Sequence, residues 1–208
     1  MRGTAEGVVE LPDLRRRNQT LVERNRALAH ENARLRELAA EYKAQAGIAP
    51  IVQAAPASVQ ARVIGFPPEY AVQSVTIDKG TRAGVKREDG VVSADGVVGR
   101  IVEAGPFTSK VALLTDFTST VPAVVAETRS WGVARGNESS VRLEYVSQDA
   151  ALRAGQTVVT AEGRSFHEGE VLGTIVAIDR SASTLYQTAV VKPAVDFSTL
   201  DRVAVVPK

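Results

Sequence analysis

Two histidines and no cysteines leave this 208-residue chain little equipment for catalysis. Disulfides, thiolate metal sites and cysteine nucleophiles are excluded outright. His167 lies in Arg164-Ser165-Phe166-His167-Glu168-Gly169 and would have to be the base of any Ser–His–Asp hydrolase. The nucleophile is missing: no serine stands in a Gly-x-Ser-x-Gly elbow or a Gly-Asp-Ser-Gly-type loop that would supply oxyanion donors. A metal at His167 would need several carboxylates, and Glu168 and Glu170 are too local to close a site alone. Neither a P-loop nor a Gly-x-Gly-x-x-Gly following a strand occurs. No catalytic, cofactor-binding or metal-binding residue is assigned, no cofactor is expected, and His167 reads as an exposed loop residue. The chain is expected not to be an enzyme.

Charge gives no other lead. The net charge is +1, with nine basic against seven acidic residues in 1–46 and near balance after that. Such a surface does not gather nucleic acid. Aromatic residues make up only 5% of the chain, so a ring-lined cleft is not expected. Trp131, the one tryptophan, reads as a core ring ahead of the alternative, an interface anchor. No run of about 18 apolar residues is present to span a bilayer, and the start has no signal-peptide core.

The elements that would present a surface divide near residue 47. Residues 1–10 are expected to be a disordered start, 11–46 a helix, 47–58 an extended linker and 59–208 a β region. Pro12 suits a first helical turn, and Gly47 and Pro50 suit its end. Leu14, Leu21, Leu28, Leu35 and Tyr42 recur every seventh residue at heptad position d. Leu11, Asn18, Asn25, Asn32 and Ala39 then fall at a, and His30 falls at the solvent-facing f position. Leucine at d favours two parallel strands, and the three asparagines set register at a cost in stability. Glu31 at g can meet Arg36 at e, whereas Arg17 and Arg24 face Val22 and Ala29. A weak homodimeric coiled coil is expected, roughly 50 Å long over 12–45.

Beyond the linker, short valine-rich runs predict strands at 59–65, 73–78, 90–93, 97–103, 110–115, 121–126, 131–135, 141–147, 157–161, 171–179, 186–192 and 202–206. Turn pairs stand at Asp89-Gly90, Asp95-Gly96 and Glu162-Gly163. An internal echo links Val91–Gly96 and Val97–Val102 to Val158–Gly163 and Val171–Val176, with seven extra residues in the second copy. Arg-Ala-Gly precedes each copy, at 82–84 and 153–155. The echo favours two related small barrels. Gly80, Gly96, Gly99, Gly163 and Gly173 are read as structural turn or bulge residues.

Several ordered segments resemble the extracytoplasmic part of MreC, the rod shape-determining family. They are Ala61-Arg62-Val63-Ile64-Gly65 with Val75–Gly80, Gly96–Glu103 with Thr108–Asp116, Trp131–Gly136, Gly169–Gly173, and Val191–Phe197 running to Val203–Val206. The resemblance covers roughly 59–208 and implies an α-helical coiled coil followed by an all-β region of two small β-barrels. It implies a chain that returns to the first barrel after building the second, which assigns 59–78 plus 141–208 to one barrel and about 79–140 to the other. It further implies a non-enzymatic scaffold of cell-wall elongation at the bacterial inner membrane, the bulk of it periplasmic or on the outer face. Anchoring would come through a segment absent here, so the chain is expected to be a soluble piece of a longer protein. Implied partners are a second copy as homodimer or filament, a wall-synthesis transpeptidase and glycosyltransferase, MreD and MreB. A periplasmic adaptor of an export system also joins coiled coil to β domain, but usually as a helical hairpin flanked by strands. A chymotrypsin-like hydrolase ranks third for want of a nucleophile.

Overall fold

The computed structural model describes residues 7–55, 57–66, 73–180 and 185–207; within the helix the side chains of 7–15, 43–45, 50 and 52–54 also lie outside the description. The chain forms two compact units, Met1–Lys43 and Ala44–Lys208. In the first, helix α1 (Gly7–Ala54) carries the heptad stripe. Leu21, Leu28, Leu35 and Tyr42 are each more than half exposed, and Asn18, Asn25, Asn32 and Ala39 are exposed as well. Leu11 and Leu14 belong to α1, with side chains outside the description. Of the expected disordered start, residues 1–6 lie outside the described residues, and Gly7–Glu10 are helical.

The helix does not stop at Gly47. It runs through Pro50 to Ala54, so the expected linker shrinks to the few residues before β1. Proline in a helix interior forfeits a hydrogen bond and costs about 3 kcal/mol. Packing opposes that cost. Ile48 is 3% exposed within a core cluster containing Val92, Val97, Leu114 and Leu172, with Ile51 packed against it. A Cβ on Gly47 would lie 2.6 Å from the Ala94 Cβ, so the residue that reads as a stop signal lets the helix approach the turn at Ala94 and Asp95.

Twelve strands follow: β1 (Val59–Gly65), β2 (Ser74–Ile77), β3 (Gly90–Ser93), β4 (Gly96–Ala104), β5 (Ser109–Leu113), β6 (Thr120–Val125), β7 (Trp131–Asn137), β8 (Ser140–Ser147), β9 (Thr157–Thr160), β10 (Val171–Asp179), β11 (Tyr186–Pro193) and β12 (Arg202–Val206). They close into two six-stranded antiparallel barrels, ordered β1-β12-β3-β4-β5-β2 and β10-β11-β8-β7-β6-β9. Barrel one therefore takes residues 59–113 and 202–206, and barrel two takes 120–193. This corrects the division at 78/79 and 140/141: the chain does return, but with β12 alone, which pairs with β1 and β3.

The two closed orders follow one plan. Starting from β3 in one and β9 in the other, β3-β4-β5-β2-β1-β12 matches β9-β10-β11-β8-β7-β6. The echo read in the sequence is the shared half. Val91 pairs with Gly99 and Val92 with Val97; Val158 pairs with Gly173 and Val159 with Val171. Each register leaves one bulged residue, Val98 or Leu172, and both are buried. Bulges bend strands, as closing so small a barrel requires.

Gly99 and Gly173 occupy one role in this plan. A Cβ would lie 1.9 Å from the Ala112 carbonyl oxygen at Gly99 and 2.1 Å from that of Lys192 at Gly173. Gly96 (φ 145°) would place a Cβ 2.3 Å from the Val171 oxygen, where barrel one meets barrel two. A Cβ on Gly80 would lie 2.2 Å from the Gly105 oxygen. A Cβ on Gly163 would meet the Pro122 ring at 3.4 Å and the Ala161 oxygen at 3.7 Å, ordinary contacts that do not demand glycine. Asp89-Gly90 opens β3 and is not a hairpin; the preceding turn is at Arg87 and Glu88.

The true partner of Arg153-Ala154-Gly155 is Lys86-Arg87-Glu88, and not Arg82-Ala83-Gly84. The Lys86 N–H donates to Asp89 Oδ2 at 2.7 Å, as the Arg153 N–H does to Gln156 Oε1 at 2.8 Å. Ile101 N–H donates to the Asp89 carbonyl, and Ile175 N–H to that of Gln156, both at 2.9 Å. Between the barrels, buried Asp116 ties the crossover: its Oδ2 accepts from the Gln73 N–H at 2.7 Å and its Oδ1 from the Thr118 N–H at 2.8 Å. In barrel two, buried Gln187 donates to the Ser147 and Ala150 carbonyls at 2.8 and 2.7 Å and accepts from Arg180 Nε at 3.0 Å.

Gly99→Ala and Gly173→Ala should each lower unfolding stability by about 1–3 kcal/mol, because the added methyl must push paired strands apart. Urea unfolding would measure this, and midpoints matching the parent would show that the strands do not need glycine there.

Candidate partner-binding surface

The inward positions of β7 hold Gly132, Ala134 and Gly136, all buried, so Trp131, Val133 and Arg135 point out. Trp131 is 61% exposed, which corrects its expected place in the core. The barrel interior along β7 takes only the smallest side chains: a Cβ on Gly132 would already meet Leu143 and Val146 at 2.9 Å. Strand parity, with glycine and alanine at alternate positions, was the signal that could have placed the indole outside.

On β8, Leu143 and Val146 face in, and the two residues between them oppose only Thr188 on β11. That bulge drives Tyr145 to φ 61°, a left-handed backbone that bulky residues rarely adopt. Its ring stands out from the sheet, more than half exposed, edge-to-face with Tyr186 at 5.8 Å between centroids. Trp131, Tyr145 and Tyr186, preceded by exposed Leu185, thus gather at one end of the β7-β8-β11 face.

The other end is basic. Arg135 pairs across to Arg142, and Arg142 to Val190. Arg135 Nε lies 3.5 Å from Glu144 Oε2, and exposed Lys192 follows on β11. Like charges directly opposite on a sheet are unfavourable; Glu144 offsets Arg135, which leaves Arg142 and Lys192 as exposed cations at this end. Rings that bury well beside cations that pair well form a face suited to protein recognition.

His167 is exposed, and only its carbonyl is engaged, accepting from Thr160 Oγ1 at 2.6 Å. His30 is exposed on α1. No group of metal-ligating residues assembles among the described residues, and none of the helices described is long and apolar enough to cross a membrane.

With this geometry in hand, the comparisons are specific. The family model for the rod shape-determining protein MreC, barrel core, matches residues 63–207. The chain belongs to the MreC family. It is 31% identical to the cell shape-determining protein MreC of Listeria monocytogenes over 99% of its own length and 73% of that protein. With Escherichia coli MreC it shares 30% identity over 82% of its length, but that spans only 45% of the relative. Among solved structures, one named MreC superposes with a TM-score of 0.74 at 25% identity, covering 82% of this chain and 99% of that one. A complex between penicillin-binding protein PBP2 and MreC from Helicobacter pylori contains a likeness of fold, with a TM-score of 0.57 at 15% identity over 73% of this chain and 99% of that one. Membership supports the cell-shape reading and sets aside the export adaptor and the hydrolase. MreC proteins are structural cell-shape proteins.

Two exposed carboxylates of the β region accept backbone N–H groups. Both Glu127 oxygens accept the Thr157 N–H, at 2.9 and 3.1 Å, and that backbone bond above all holds its pKa below the usual glutamate value. Asp196 is lowered likewise, first by the Ser198 hydroxyl at 2.6 Å and then by the Ser198 N–H at 3.0 Å. A depressed folded pKa contributes stability that is present above the unfolded value and is lost as pH falls through the folded one. Glu127→Gln should therefore be less stable than the parent at neutral pH, with the gap closing on acidification. Thermal midpoints measured across pH would test this; a gap constant at every pH would rule out the charge as its source.

Proposed function

We propose that this chain is a non-enzymatic scaffold of cell-wall elongation that holds a wall-synthesis transpeptidase on the β7-β8-β11 face. The carrying observation is the exposed Trp131–Tyr145–Tyr186 cluster, with Tyr145 kept in a strained backbone to present its ring. The PBP2 complex of the Helicobacter pylori relative supports a penicillin-binding protein as the occupant. The basic end formed by Arg142 and Lys192 asks for an acidic rim on that partner. A glycosyltransferase, MreD and MreB complete the assembly expected of the family, at the inner membrane with the β region on its outer side.

Self-association belongs to α1. The d-position residues Leu21, Leu28, Leu35 and Tyr42 leave an apolar stripe open, and a second copy in parallel would bury it. Leu11 and Leu14 would extend the seam, and Ala39 would fill its last a layer. Asn18, Asn25 and Asn32 would pair across it, penalising shifted registers.

Trp131→Ala with Tyr145→Ala should weaken binding of a soluble wall-synthesis transpeptidase by about thirtyfold or more, the scale of an interface hot spot. Calorimetry would measure it, and an unchanged affinity would remove this face from the contact. Leu21→Ala with Leu28→Ala should shift sedimentation from dimer toward monomer while the β region keeps its melting point. A mass that stays dimeric would place the dimer contact elsewhere.

A further inference from the structure

The repeated plan of the two barrels makes departures from it informative. At Gly155 the turn before β9 adopts φ 91°, and glycine is the residue that takes it freely. The equivalent residue in barrel one is Glu88, held at φ 74°. A side chain there is strained against the following carbonyl. What the strain secures is visible: Glu88 Oε1 accepts from Arg100 Nη1 at 2.7 Å, and both groups are less than one-third exposed. Arg100 in turn replaces Thr174 of the sister strand.

The second departure is the seven-residue excess between Gly163 and Val171. This insertion seats on barrel one, where a Cβ on Gly90 would lie 2.3 Å from the Ser165 oxygen and 2.9 Å from the Phe166 ring. Both departures meet in one crevice of about 240 Å³, whose walls include Arg100, Glu88, Pro122, Arg164, Ser165 and Phe166. Arg164 makes no ion pair among the described residues. Arg87 reaches the same Glu88 oxygen only at 3.9 Å and is three-quarters exposed.

We infer that this crevice binds the carboxyl terminus of a peptide ending in a small apolar residue. Two guanidiniums against one carboxylate leave a single positive charge, which balances a monoanionic carboxylate and not a dianionic phosphate. Guanidinium forks match carboxylate oxygens in pairs. The Phe166 and Pro122 walls suit a methyl or isopropyl side chain beside that carboxylate. The volume lies under the roughly 300–1,000 Å³ typical of drug-sized ligands, which limits the ligand to one or two residues. The site adjoins β7, where Pro122 pairs with Val133, but it uses none of the three exposed rings, so neither reading depends on the other.

The isotope-labelled full chain would be titrated with N-acetyl-alanyl-alanine, with its carboxamide and with inorganic phosphate, followed by NMR. The free acid should give saturable shifts at Glu88, Arg100 and Arg164–Phe166, and the amide should bind at least about tenfold more weakly. Arg164→Ala should weaken the acid about tenfold with the melting point unchanged. Glu88→Gly, which restores the sister residue, should also lose affinity while the barrels stay folded. Equal binding of acid and amide, phosphate binding as tightly as the acid, no saturable shift, or wild-type affinity in both variants would each overturn the inference.

Discussion

Closing six short strands into a barrel forces some backbones closer than any side chain permits, and most of this fold follows from how that approach is managed. At Gly99 and Gly173 the neighbouring carbonyl stands where a Cβ would be. Each glycine lies beside a bulged, buried residue, and together they let one strand bend while its partner stays paired. The interior left over is narrow. It is filled by valine, alanine, isoleucine and leucine, with glycine and alanine alone along β7, and Trp131, Tyr145 and Tyr186 stand outside. The sparse aromatic content and the exposed tryptophan thus share one cause.

All twelve strands were legible from short valine-rich runs and turn chemistry, and the heptads showed the helix. What failed was long-range. Nothing local in 79–140 says that β3, β4 and β5 close with a strand more than ninety residues further on, so the barrel boundaries were misplaced. Gly47 and Pro50 carry a genuine stop signal, and a stop is what propensity predicts. Burial of Ile48 overrides it, and that burial depends on surfaces distant in sequence. The repeat was read from its valines, but its turn was aligned four residues early, because Arg-Ala-Gly matched by letter while Lys86-Arg87-Glu88 matches by hydrogen bond.

The candidate surface was less legible than the fold for a related reason. Catalytic groups are restricted in type, so their absence can be read from a sequence. A docking face is defined by parity and neighbourhood. Trp131, Tyr145 and Tyr186 lie on three strands, and only pairing brings them together. Tyr145 is further disguised, since the bulge that turns it outward interrupts the inside–outside alternation along β8.

The nesting of barrel two between β5 and β12 also governs the order in which the molecule can be built. Every strand of barrel two, 120–193, leaves the ribosome before β12, whereas Val59 must wait for Val205 before barrel one can close. The first strands synthesised are therefore among the last to be sealed, and an unfinished chain displays the open margins of β1 and β3. Contacts of such long sequence separation close slowly. The later barrel is thus positioned to serve as a finished platform on which the earlier one completes itself.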